Sequence, residues 1–197
     1  MGFGRAVPLV AFLLAGCASL PGSSPPPADT FELSAPSVPA KLPRKRGVQI
    51  LIAEPTALKA LDSQNVVVRP TPASIQYLGG AQWSDRLPKV VQARLFEAFE
   101  NSGAFGGVGM PGQGLAIDFQ VVAVLRAFEI RPMGGGDTAV VTISVKLLDD
   151  RNGTVRAAEV FEASAPAGAG NPAFVAALDR AFGEVAVEIV AWVAKRV

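Results

Sequence analysis

Between Leu115 and Ala163 apolar and polar residues alternate over three long stretches joined by short turns. Alternation with a period of two marks a strand with one buried face, and a helix cannot satisfy it. In the first stretch Leu115, Ile117, Phe119, Val121, Ala123 and Leu125 share a face, with Asp118, Gln120 and Arg126 opposite. Phe128 and Ile130 then carry the apolar phase on even numbers, so one extra residue near Arg126-Ala127, a β-bulge, is expected. From Thr138 to Leu147 the residues Ala139, Val141, Ile143, Val145 and Leu147 alternate with Thr142, Ser144 and Lys146. Asn152-Gly153 is a strong hairpin signal, and Thr154 to Ala163 is the return strand. Three strands with short connections predict an antiparallel meander.

The upstream half repeats the order of elements without repeating sequence. Phe31-Glu32-Leu33 is a short strand candidate, and Val48 to Ala53 is apolar and β-branched. Pro55 to Gln64 reads as a loop or short helical turn. Val66 to Arg69 is a strand ended by Pro70 and Pro72, and Ser74 to Leu78 returns beside it. Ser84 to Asn101 reads as a helix, because Leu87, Val91, Leu95 and Phe99 recur every four residues. Ser84 suits its N-cap, Pro88 its first turn and Gly103 its end. A second helix runs from Pro172 to about Lys195, with Asn171 as N-cap and Leu178, Phe182, Val185, Ile189 and Trp192 as its buried stripe. The expected fold class is α+β: a mostly antiparallel sheet with two main helices packed on one face.

The first residues read differently. A basic head (Arg5), an apolar run (Ala6 to Leu14) and small residues before Cys17 form the layout of a secretory signal peptide. The run is far shorter than the ~20 residues a spanning helix needs. Leu14-Ala15-Gly16-Cys17 resembles the lipobox of bacterial lipoproteins. That resemblance implies diacylation of the Cys17 thiol, palmitate being a typical acyl group, cleavage after Gly16 and acylation of the new N-terminus. An ordinary signal peptide containing a cysteine would instead leave one unpaired thiol in an oxidising compartment. Ala18 to Thr30 is Ser- and Pro-rich, and at ~3.1 Å per residue it reads as a tether reaching roughly 40 Å. The expected organisation is therefore signal peptide 1–16, lipidated tether 17–30 and folded domain 31–197.

Composition removes whole classes of chemistry. The chain has no histidine and one cysteine, which excludes Ser-His-Asp and Cys-His catalysis and histidine metal sites. With 18 basic and 17 acidic side chains, the charge balance argues against nucleic acid as a partner. We expect no enzymatic activity and no cofactor. Gly107-Val108-Gly109-Met110-Pro111-Gly112 matches G-x-G-x-x-G, but a helix precedes it and a strand follows, the reverse of a dinucleotide site. A flexible connection is the better reading. Gly134-Gly135-Gly136-Asp137 reads as a hairpin tip, and Asp149-Asp150 as turn residues before Asn152-Gly153. The cluster Lys41, Arg44, Lys45 and Arg46 is either a solvated loop or a contact for anionic lipid head groups or an acidic partner. Trp83 and Trp192 suit core or boundary positions better than ligand platforms.

Val66 to Leu87 (VVVRPTPASIQYLGGAQWSDRL) and the helix after it resemble the ABC-type transport auxiliary lipoprotein family. The shared pattern is a strand ending in arginine (Arg69), a second strand with tyrosine (Tyr77) and a tryptophan opening the helix (Trp83), preceded by Ile52 to Pro55. The resemblance covers roughly residues 31 to 195. It implies an outer-membrane, lipid-anchored, non-catalytic docking component of an MCE-type (mammalian cell entry) ABC system that moves lipids or other hydrophobic molecules. An MCE-domain protein is the implied partner, and a homo-oligomer is compatible with it. Ala18, where inner-membrane retention would usually show aspartate, points to the outer membrane. Arg69 and Trp83 join the basic cluster as candidate partner or membrane contacts. The alternative function is a lipoprotein activator of a periplasmic cell-wall enzyme.

Overall fold

The structure, a computed structural model, describes residues 1–2, 27–38 and 42–197. Cys17, most of the tether and Lys41 lie outside the described residues. The described chain runs β1 (Asp29–Phe31), β2 (Lys45–Ile52), β3 (Thr56–Ala57), β4 (Asn65–Thr71), β5 (Ser74–Trp83), α1 (Leu87–Asn101), β6 (Phe105–Gly109), β7 (Phe119–Met133), β8 (Gly136–Asp149), β9 (Thr154–Ala167) and α2 (Asn171–Ala194).

β7 organises the sheet. One edge pairs along its whole length with β8, antiparallel, and β8 pairs with β9 in the same way. The other edge takes β2, β3 and β4 one after another, each parallel to it: Ile50 opposite Phe119, Thr56 opposite Val124, Val67 opposite Glu129. β5 pairs antiparallel with β4, while β1 and β6 add parallel to β5 and β2. The class is α+β as expected, but the sheet is mixed and not mostly antiparallel. The meander 119–167 is antiparallel because its turns are short. The parallel pairs of β2, β3 and β4 with β7, and of β2 with β6, arise because α1 carries the chain back before β6 and β7 begin, and a parallel pair needs such a crossover.

The helices pack on one face of the sheet. β7 and β8 present Val121, Ala123, Leu125, Phe128, Ile130, Val141, Ile143 and Val145 to a continuous core with Leu95 and Phe99 of α1 and Leu178, Phe182 and Ile189 of α2. Trp83 meets Phe128 edge to face at 5.7 Å, and Phe128 lies 6.1 Å from Phe182, so these rings join the β4–β5 hairpin, β7 and α2. Trp83 is 1% exposed, which removes it from the candidate contact surface.

Helix entry differs from expectation at both helices. α1 starts at Leu87, whose N–H donates to the Ser63 carbonyl at 3.0 Å, so backbone replaces a Ser84 cap. Asn171 is already the first residue of α2, and its Nδ2 donates to the Gly79 carbonyl at 3.0 Å. The bulge falls where the phase change requires it, between Leu125 and Ala127. Asn152-Gly153 does turn β8 into β9, with Gly153 at φ +70°, a conformation glycine adopts without strain.

The glycine-rich segment after α1 is partly a strand, β6, and not only a flexible connection. Its pairing with β2 is tight: a Cβ at Gly106 would sit 2.0 Å from the Arg46 carbonyl oxygen. Gly106→Ala is expected to push β6 off β2 and destabilise the protein by about 1–3 kcal/mol, read as a lowered melting temperature.

The segment that leads in from the N-terminal side is tied to three elements. Beyond the β1–β5 pairing, the Ser84 N–H donates to the Phe31 carbonyl at 2.9 Å. Glu32 pairs with Arg94 of α1 at 2.9 Å, Leu33 is 2% exposed, and the Ser34 N–H donates to Asp179 of α2 at 2.7 Å.

Candidate functional site

The sheet face away from the helices carries a cluster of charges around Glu129. On a plain strand Arg126 and Glu129 would point to opposite faces. The bulge brings them to one face, together with Arg131, while keeping Phe128 and Ile130 in the core. Arg69 lies two residues beyond Val67, the partner of Glu129, and so reaches the same place from β4.

Glu129 is fully buried. An isolated buried carboxylate costs several kcal/mol, which only close ionic partners offset. The Arg69 Nε donates to both Glu129 oxygens, at 2.7 and 2.8 Å, and the Arg131 Nε donates to Oε1 at 2.9 Å. Both arginines therefore hold the carboxylate through Nε. Of their terminal Nη groups, only Arg69 Nη1 has a protein acceptor among the described residues, a long 3.4 Å bond to the Pro72 carbonyl. Arg126, exposed, forms no ion pair among the described residues. A cavity of about 480 Å3 is lined by Arg69, Arg126, Glu129 and Arg131, with Pro70 to Pro72, Pro132 and Met133.

A second cavity of about 470 Å3 shares Arg69 and Arg126 as walls. Its remaining lining is mainly apolar: Ala57, Leu58, Leu61, Ile75 and Val124. Leu58 is 83% exposed, and Ile75 and Val124 are also exposed.

The sequence-predicted contacts do not form one surface. Arg44 and Arg46 are exposed beside Lys45, whose Nζ donates to the Val197 carbonyl. This basic group opens β2, which pairs with the Phe119 end of β7, whereas Arg69 lies at the Met133 end. Arg69 is engaged by Glu129, and Trp83 is in the core. Arg126, Glu129 and Arg131 were not among the expected site residues. The signal for them was the phase change itself, which places an acid between two bases on the polar face.

Several charges elsewhere are held by ordinary ion pairs. Hydrogen bonds to Asp62 and then Glu54 raise the Arg86 guanidinium above its usual value. The Arg151 side-chain hydrogen bond lowers the Asp149 carboxyl below the ordinary aspartate value of 3.8, and Arg151 is raised in turn. Of the Asp149-Asp150 pair expected at the turn, Asp149 is the last residue of β8 and Asp150 opens the β8–β9 turn, with Arg151 after it. Among the described residues no helix is long and apolar enough to cross a membrane.

An uncharacterized protein of Bradyrhizobium diazoefficiens is 32% identical over 187 residues, or 91% of this chain and 49% of that protein. The chain thus spans about half the length of the curated relative it matches. A crystal structure of protein XCC0632 from Xanthomonas campestris superposes with a TM-score of 0.79 at 27% identity, covering 86% of this chain and 96% of the other. The hypothetical protein CT253 of Chlamydia trachomatis shares the fold, with a TM-score of 0.54 at 10% identity over 76% of this chain and 96% of the other. The family model for the ABC-type transport auxiliary lipoprotein component matches residues 31–190, nearly the whole described fold, and the chain belongs to that family.

Proposed function

We propose that this chain is a lipid-anchored, outer-membrane docking component of an MCE-type ABC transport system that moves lipids or other hydrophobic molecules, with no catalysis of its own. The observation that carries the proposal is the family match over residues 31–190. The lipobox ending at Cys17 and the Ala18 that follows it support the anchor and its membrane. A helix-free sheet face with exposed Ile75, Tyr77, Val124 and Val160 offers a partner apolar side chains among polar ones.

The test is capture from cells. The full chain, tagged at its C-terminus and crosslinked in place, is expected to recover an MCE-domain protein. Recovery of a cell-wall synthase and never an MCE-domain protein overturns the proposal in favour of enzyme activation. Cys17→Ser is expected to move the protein from the membrane to the soluble periplasmic fraction. Retention of that variant in outer-membrane vesicles would show that something other than acyl chains anchors it.

A further inference from the structure

The two cavities on the helix-free face share walls and differ in chemistry. One end has three guanidinium groups around a single carboxylate, which leaves a local excess of positive charge. Glu129 takes the Nε of Arg69 and of Arg131, which fixes both side chains and leaves terminal N–H donors for another acceptor. Guanidinium forks match the oxygens of a phosphate group. The other end, bounded by the same Arg69 and Arg126, is lined by Leu58, Leu61, Ile75 and Val124. Each volume falls within the ~300–1,000 Å3 typical of ligand pockets.

We propose that the two adjoining cavities together bind a phospholipid with an anionic headgroup, its phosphate at Arg69, Arg126 and Arg131 and one acyl chain over Leu58, Ile75 and Val124. A free phosphate would fill only the cationic end and leave the apolar end wet. A neutral chain would leave Arg126 without a counter-charge. An amphiphile satisfies both, and burying Leu58, at 83% exposure, adds apolar area removed from water. Glu129 is a positioning residue here, since it reaches the ligand only through the two arginines it holds. The inference deepens the transport reading and rests on it only for the supply of such a ligand.

The probe is palmitoyl lysophosphatidylglycerol with a photoreactive group on its chain, offered to the full lipidated protein in phosphatidylcholine nanodiscs. Adducts are expected on peptides containing Leu58, Ile75 or Val124. Arg126→Glu is expected to lower the yield about tenfold, the equivalent of ~1.4 kcal/mol in affinity, with an unchanged melting curve. Val124→Asp, at the apolar end, is the second variant and is expected to lower it similarly. Excess glycerol phosphate is expected not to compete. Adducts confined to other segments, or yields in both variants as high as in the unsubstituted protein, overturn the proposal. Full competition by glycerol phosphate reduces the site to a phosphate pocket, and displacement by an acidic peptide but not by unlabelled lipid assigns it to a protein segment; either result overturns it. Capture of the MCE-domain partner is read on the same variants. Labelling lost from the unmodified protein with capture intact overturns the lipid site alone, and capture lost with labelling intact overturns the docking reading alone.

Discussion

Leu95→Asp is expected to unfold the protein at room temperature. Leu95 is fully buried in the stripe that α1 turns toward the sheet. Deleting a leucine side chain at such a site costs about 2–5 kcal/mol through lost transfer energy and the cavity left behind. An unsatisfied buried polar group adds about 1–3 kcal/mol, and more if the carboxyl stays ionised. Domains of this kind are stable by about 5–15 kcal/mol, so one substitution removes most or all of the margin. Circular dichroism reads the result: loss of the cooperative thermal transition is expected, and a wild-type melting curve would show that α1 does not pack as described.

The second large effect is expected at the buried carboxylate, and it is asymmetric. Arg69→Leu leaves Glu129 in the interior with Arg131 alone. Removing one partner of a buried ion pair typically costs about 3–5 kcal/mol, because the remaining charge is neither solvated nor neutralised. For a chain of this size that is a melting shift of roughly 6–20 °C. Glu129→Gln removes the charge from the other side. The two arginine side chains left behind are 25% and 40% exposed and can take up water. The glutamine oxygen also still accepts one hydrogen bond, so the expected cost is smaller, about 1–3 kcal/mol. Denaturant melts of the two variants check the order. Equal losses, or a larger loss for Glu129→Gln, would mean that Arg131 alone satisfies the carboxylate.

Local features of the fold were legible in the sequence, and those set by distant partners were not. The β7 bulge could be read because alternation records which face each residue takes, and the phase moves between Leu125 and Phe128. The β8–β9 turn could be read because Asn152-Gly153 has few other uses. Strand direction leaves no such trace. Val48 to Ala53 and Val66 to Arg69 look the same whether they pair parallel or antiparallel, and α1 decides which. β6 was hidden because Gly106 and Gly107 carry no side chain to alternate, although close approach to β2 is what Gly106 permits. The arginine site was half legible. Arg69 stands out in the sequence, but Glu129 gains its burial and its partner only from β4 pairing beside β7. Helix caps failed for a related reason, since carbonyls from Ser63 and Gly79 can take the place or the attention of the capping side chains.

The entry segment has a mechanical consequence. Any force applied from the N-terminal side enters the fold at β1, a strand of three residues that could peel from the sheet edge if it were held by β5 alone. Its continuation is fastened to α1 through Glu32, to the core through Leu33 and to α2 through Ser34. Tension is therefore divided among the sheet and both helices within a few residues and does not fall on the first strand alone.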